Sequence, residues 1–383
     1  MRKPAKSLRA VARTLTIRRT AIIVTALAVV SAFVEVGVVG AGGATGDGAA
    51  GLAAVSSSGR ALTKTFVRNG RRVTVSHSVK NDVSLPLRAI APVPYKPAGE
   101  HKAIPSPKTG LLHRNEPDGA RQTSAPTAPM PAATLNFDGI LYPGVNCFCA
   151  PPDTNGEVGL SQYVQLVNQG LKVFNKATGA SVFGPVDIAT LWADFGGVCE
   201  LDGNGDPIVV YDQLANRWVI SQFAGADFNV NGAVTDECIA VSRTSDATGG
   251  YYRYDFTLGS DFFDYPKISV WPDAYYMSMN VVDASTDDFL GPQPFAFDRA
   301  AMLHGDPATF ITTGITNGSG EAPYLPADLD GSTLPPAGAP APFVEWPFNG
   351  TYRVFRFHVD WATPANSTFT LGGAPAAASY SSA

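Results

Sequence analysis

Three strand pairs, each led by an aspartate, constrain this chain more than any other feature. In the middle pair, Gly205-Asp206-Pro207-Ile208-Val209-Val210-Tyr211-Asp212 reaches a bend at Gln213-Leu214-Ala215-Asn216. The chain returns as Arg217-Trp218-Val219-Ile220-Ser221-Gln222. Val, Ile, Tyr and Trp on both arms, with Asn and Asp at the bend, read as a β-hairpin. The same pattern leads from Asp153-Thr154-Asn155-Gly156 to Tyr163-Val164-Gln165-Leu166, and from Asp264-Tyr265-Pro266-Lys267 to Tyr275-Tyr276-Met277-Ser278. The leading aspartates stand 53 and 58 residues apart. Each unit adds short strands, such as Cys238-Ile239-Ala240-Val241-Ser242 and Phe295-Ala296-Phe297, and a weaker fourth unit ends near Val359. A unit of about four strands and about 50 residues has the size and content of a propeller blade. The expected fold is all-β: a β-propeller of such blades, complete or incomplete, preceded by a signal peptide and a Pro-rich arm. A β-sandwich is the alternative, since it also places strands every 8–12 residues or so.

Residues 1–44 read as a signal peptide. Arg2, Lys3, Lys6, Arg9, Arg13, Arg18 and Arg19 precede an apolar run from Ala21 to Val34, and small residues follow at 40–44. An uncleaved membrane anchor is the alternative, and the run is short for one. Residues 45–132 form a basic Gly/Ser/Pro-rich leader and linker, with a hairpin expected at 64–77 around Asn69-Gly70. Residues 133–371 form an acidic propeller-like domain, and 372–383 a low-complexity tail. Localisation is expected to be secreted or at the cell surface, with no membrane span after cleavage. Residues 123–383 hold 27 acids against 9 Lys and Arg. Such a surface repels phosphates, so nucleic acid is not an expected partner.

The four cysteines are Cys147, Cys149, Cys199 and Cys238. In an exported chain they favour disulfides. Cys199 and Cys238 flank strands of one unit and are expected to pair, whereas the roles of Cys147 and Cys149 stay open. No Gly-x-Ser-x-Gly, P-loop or dinucleotide fingerprint occurs. Carboxylates are the abundant reactive groups. Asp153, Asp206 and Asp264 open inner strands, which in a propeller converge near the central channel. Two such groups at the right separation can act as acid and base on a glycosidic bond. The plainer reading is that each caps a turn by accepting backbone amides. Asp202, Asn204 and Asp206 alternate in a glycine-containing loop and suggest weak Ca²⁺ binding, although no Glu follows at the twelfth place.

Five stretches carry a resemblance: Pro151-Pro152-Asp153-Thr154-Asn155-Gly156, Gly205-Asp206-Pro207 to Tyr211-Asp212, Glu237-Cys238-Ile239-Ala240-Val241-Ser242, Tyr265-Pro266-Lys267, and Leu325-Pro326-Ala327-Asp328-Leu329-Asp330-Gly331. Through them the region from about 150 to 365 resembles secreted bacterial proteins of sialidase-like or WD40-like propeller type, a group without assigned chemistry. The resemblance implies a propeller and no catalytic residue. A true sialidase also needs an arginine cluster, which Arg217, Arg243, Arg253, Arg299, Arg353 and Arg356 do not suggest. The expected function is therefore non-enzymatic, the binding of an extracellular glycan or protein. A glycan-active hydrolase using Asp153, Asp206 and Asp264 is the alternative, and a purely structural surface protein a third. One observation separates the first two. Aspartates gathered in one pocket favour the hydrolase, and aspartates bonded only to local backbone favour the binding protein.

Overall fold

The computed structural model describes residues 62–93 except 69, 124, 130–141, 152–201, 203–225, 234–316, 323–331, 333–347 and 351–377. The signal-peptide reading, Cys147, Cys149 and Asp202 lie outside these residues. All the described residues belong to one compact unit, 54–383.

Four antiparallel meanders follow one another along the chain. The first sheet holds β4 (Asn155–Val158), β5 (Gln162–Val167), β6 (Gly170–Asn175) and β7 (Ser181–Asp187). The second holds β8 (Gly203–Asp212), β9 (Arg217–Ala224), β10 (Asp236–Ser242) and β11 (Tyr251–Thr257). The third holds β12 (Phe262–Val270), β13 (Tyr275–Val282), β14 (Phe289–Phe297) and β15 (Thr309–Thr312). The fourth holds β16 (Tyr324–Pro326), β17 (Ala341–Glu345), β18 (Arg353–His358) and β19 (Thr368–Gly373). The first strand of each sheet lies innermost, and β8 packs beside β4 and β12, as β12 does beside β16. This is a β-propeller arrangement, and among the described residues its sheets do not close into a ring. The sandwich alternative fails because two packed sheets would not stack four meanders side by side around their first strands.

Residues 63–83 join this body. β1 (Thr63–Arg68) and β2 (Arg71–His77) form a hairpin, and β2 pairs with β15 at the outer edge of the third blade. β3 (Lys80–Val83) pairs with β11 at the outer edge of the second. Arg253 holds the junction. It is buried, pairs with both oxygens of Asp82 at 2.8 and 2.6 Å, and donates to the carbonyls of Leu191 and Ala193.

Face-to-face stacking explains the sequence pattern. Strands β9 and β10 are buried along nearly their whole length. Trp218 and Ile220 face the first blade, while Val219 and Phe223 face the third. A strand covered on both faces reads as a continuous apolar run. In the fourth blade β17 alternates buried and half-buried residues, because only one face meets a neighbour. The expected Cys199–Cys238 disulfide is present, joining α2 (Val198–Leu201) to β10.

Asp212 locks the second blade to the third. Its carboxylate is fully buried, accepts from the amides of Leu214 and Ala215, and turns the β8–β9 bend. It also accepts from Arg299 Nε at 2.7 Å, Arg299 Nη2 at 3.0 Å and the Tyr275 hydroxyl at 2.9 Å. Arg299 opens the short helix α3 (Arg299–His304), whose N-cap is Asp298. Removing one partner of such a pair leaves a buried charge, so Asp212→Ala is expected to cost about 3–5 kcal/mol. Asp246→Ala loses an exposed ion pair to Arg88, for which up to about 1 kcal/mol is expected from the ion pair itself. Chemical denaturation measures both. Replacing both Cys199 and Cys238 by Ser opens a crosslink spanning 39 residues, and about 4 kcal/mol of stability should be lost in the same experiment.

Candidate functional site

A cavity of about 360 Å³ opens beside the inner strands. Its walls come from β4 with the residues before it, the start of β8, and the start of β12. Asp153, Glu157, Asp206, Tyr265 and Lys267 supply its ionisable lining.

The backbone at this point is unusual. Asp153, Asp206 and Tyr265 hold φ of 41°, 43° and 55°. Residues with a Cβ rarely occupy this left-handed region, at a cost of roughly 1–3 kcal/mol each where the surroundings enforce it. Asp206 and Tyr265 each precede a proline, Pro207 and Pro266, at bulges in β8 and β12. A proline lacks the amide a ladder needs, and a bulge is where a strand can accommodate that. The residues at these bulges, Asp206 and Tyr265, line the cavity.

The sequence treats Asp153, Asp206 and Asp264 as equivalent, and the structure corrects this. In the third blade the left-handed residue before proline is Tyr265, and Asp264 sits one place earlier. Asp153 and Asp206 line the cavity, whereas Asp264 lies behind it, near Asp153 and Lys267 and holding the Tyr265 amide. Burial pushes Asp264 up, while that amide and Lys267 oppose the shift.

Asn168 binds the first two aspartates together. Its Nδ2 donates to Asp153 Oδ2 at 2.6 Å, and its Oδ1 accepts from the Asp206 amide at 3.1 Å. Its own amide donates to the Pro152 carbonyl. The Asp153 and Asp206 carboxyls are in hydrogen-bonding contact. Burial, then the charges of Asp264 and Asp153, push Asp206 from the ordinary 3.8 up to about 7. Lys267 opposes this shift, and burial holds Lys267 itself below the usual lysine value against three carboxylates. Its Nζ stands 3.6 Å from the centre of the Tyr265 ring and donates to the Pro266 carbonyl. Glu157, four residues along from Asp153, is pushed up by burial and by Asp328 and Asp330.

At neutral pH the Asp206 carboxyl can therefore hold a proton while in contact with Asp153. A carboxyl kept protonated near neutral pH by burial and neighbouring carboxylates suits general acid work. Sequence reasoning missed Asn168, Glu157 and Lys267 as site residues. Lys267 stands in the Asp264-Tyr265-Pro266-Lys267 stretch that leads the third strand pair, whereas Asn168 and Glu157 carry no local signal. Asn204 has no described side chain, and Asp206 is engaged by Asp153, so the calcium expectation at Asp202, Asn204 and Asp206 gains no geometry here.

A carboxyl whose folded value lies above its ordinary one makes the folded state bind more protons than the unfolded chain. Stability then falls as pH rises between the two values. For Asp206 that window runs from about 4 to 7. For Asp255, raised first by burial and then by Asp236, it extends to about 8. Melting curves of Asp206→Asn and Asp255→Asn should lie above wild type at pH 8 and converge with it below pH 4. Equal gaps at both pH values would sink this assignment.

No family model matches the chain, and no curated protein matches it. Solved structures with a similar course of strands are glycan hydrolases. An exo-β-1,3-galactanase from Phanerochaete chrysosporium, solved with β-1,3-galactotriose, is 10% identical over 58% of this chain and 62% of that one, with a TM-score of 0.32. A GH43 β-1,3-galactosidase is 9% identical over 57% and 89%, with a TM-score of 0.30. An exo-β-1,3-galactanase from Clostridium thermocellum is 9% identical over 60% and 63%, with a TM-score of 0.25. At these values no residue role passes from them to this chain. The expectation of a non-enzymatic binding protein is nonetheless corrected. Two of the three aspartates meet in one cavity and contact each other across blades rather than local backbone alone.

Proposed function

We propose that the chain is a secreted glycan-active hydrolase whose proton donor is Asp206. The observation that carries this reading is the contact between Asp153 and Asp206, which sets a protonated acid in a 360 Å³ cavity at neutral pH. Asp206 gives its proton to the departing glycosidic oxygen. Asp153 hydrogen-bonds the Asp206 carboxyl, and Asn168 fixes the Asp153 carboxyl and the Asp206 backbone. The touching pair is too close to face itself across a sugar ring, where about 5–9.5 Å is needed. The second carboxylate is therefore Glu157, which lines the same cavity as Asp206 and receives the proton of the attacking water. The half-exposed Tyr265 ring offers an apolar face for a sugar. Weak calcium binding through Asp202, Asn204 and Asp206, which requires an ionised Asp206, is a separate proposal, and a higher melting temperature with calcium than with chelator would support it.

Reducing-sugar release from a panel of neutral oligosaccharides tests the reading. Wild type should hydrolyse at least one of them. Asp206→Asn should lower kcat by at least about 100-fold, the scale of general acid catalysis, and Glu157→Gln by a comparable factor. The basic limb of the pH–rate profile should fall near 7, where Asp206 loses its proton. An Asp206→Asn variant as active as wild type would overturn it.

A further inference from the structure

The hairpin of β1 and β2 carries the opposite charge to the body it sits on. Between Thr63 and His77 it holds Lys64, Arg68, Arg71 and Arg72 and no acid, whereas residues 123–383 hold 27 acids against 9 Lys and Arg. All four cations are exposed. Other basic residues of the N-terminal segment are used by the fold. Arg88 pairs with Asp246, and Lys80 donates to the Phe195 carbonyl. Among the described residues, Lys64, Arg71 and Arg72 have no carboxylate partner. Arg68 donates to a neutral amide, Asn366 Oδ1, at 2.6 Å, and the Asp360 carboxylate stands behind that amide, on Asn366 Nδ2.

Register decides which of these groups act together. Residues directly opposite in an antiparallel pair share a face, and successive residues of a strand alternate between faces. Lys64 is opposite Val75, Phe66 opposite Val73, and Arg68 opposite Arg71. Lys64, Phe66, Arg68 and Arg71 therefore share one face, whose inner part is Val73, buried in the core toward the fourth blade. Val67 and Arg72 are on the other face, with Thr63 and Thr65, whose hydroxyls bond those of Ser76 and Thr74. On the first face Lys64 Nζ stands 4.8 Å from the centre of the Phe66 ring. Two arginines placed directly opposite repel each other. β1 is the end strand of its sheet, and charge on such an edge keeps other chains from pairing with it. Lys64 and Arg68 on β1 already meet that need. It does not account for a second arginine facing the first.

We propose that this face is a docking surface for an acidic polysaccharide, a polyuronate, separate from the cavity. Guanidinium forks grip carboxylates bidentately, and a carboxylate between Arg68 and Arg71 removes their repulsion. The half-buried Phe66 ring offers an apolar face to a sugar. From Lys64 to Arg68 the row runs about 13 Å along an extended strand, which suits a chain of repeated anionic groups better than one small anion. A lipid surface fits less well, because the exposed apolar Val67 points to the opposite face from Phe66. The hairpin's outer strand lies five strand spacings from β12 in its sheet, about 24 Å, so a polymer held there leaves the cavity open. The inference does not depend on Asp206 or on cleavage.

Binding of the full chain to immobilised polygalacturonate tests it. Wild type should bind at low salt and be released as salt rises, since exposed charges are screened beyond about 10 Å at 0.1 M. Arg68→Gln and Arg71→Gln should each weaken binding about tenfold, the scale of one charge-assisted hydrogen bond. Arg72→Gln removes the same charge from the other face and should weaken it less than about twofold. Phe66→Ala should weaken binding to the polysaccharide and leave binding to inorganic polyphosphate unchanged. Equal losses from Arg71→Gln and Arg72→Gln would overturn the proposal, because charge alone would then explain the binding. So would wild type that ignores the polymer, or that binds polyphosphate or anionic phospholipid vesicles as tightly. All four residues are exposed or half-buried, and a melting curve of each variant like that of wild type shows that it is folded. The wild-type comparisons decide the matter even where a variant is not.

Discussion

The buried carboxylate of Asp212 is the contact on which the relation between blades depends. Stacked sheets joined by apolar side chains alone can slide, because dispersion and burial are nearly indifferent to small displacements. A carboxylate with five donors is not indifferent. Two of its hydrogen bonds close the β8–β9 bend and three reach Arg299 and Tyr275 on the third blade. Register between the blades is thereby set to the tolerance of a hydrogen bond. The cavity needs that tolerance, since its walls belong to three blades.

The same economy appears at the outer edge. Arg253 ties β3, the segment after α1 (Ala189–Trp192) and β11 through four hydrogen bonds. Residues 63–83 span the outer strands of two blades, and so carry part of the work that ring closure does in a closed propeller. Both clamps keep a guanidinium, buried in Arg253 and partly buried in Arg299, in bidentate contact with a carboxylate, the geometry in which such a pair repays most of its desolvation.

At the inner end the balance is reversed. Left-handed backbone at Asp153, Asp206 and Tyr265 costs stability. It occurs where the cavity lies, and the rigid blades around it hold the strain in place. Burial raises Asp206, Asp264 and Glu157 and lowers Lys267. Every one of these shifts weakens the charged form, as expected where low dielectric outweighs the attraction of opposite charges.

Much of the architecture was legible from residues alone. The spacing of Asp153, Asp206 and Asp264, and the apolar runs between them, announce repeated meanders, because strand pairing is local in sequence. The Cys199–Cys238 crosslink was legible for the same reason, both cysteines lying at the edges of one meander. The site was legible in part. The type of group, carboxylates on inner strands, could be read, but their roles could not. Tyr265 rather than Asp264 takes the place of Asp206 in the third blade because a bulge shifts the chain by one residue. Asn168 and Glu157 enter the site from a turn and a strand with no distinguishing pattern. Whether Asp206 holds a proton depends on Asp153, Asp264 and Lys267, each on another blade and more than 50 residues away. Sequence by itself determined the repeating unit and its chemistry of short carboxylates. The tertiary structure decided which carboxyls meet and in what protonation state, because those properties belong to burial and to neighbours that chain order does not bring together.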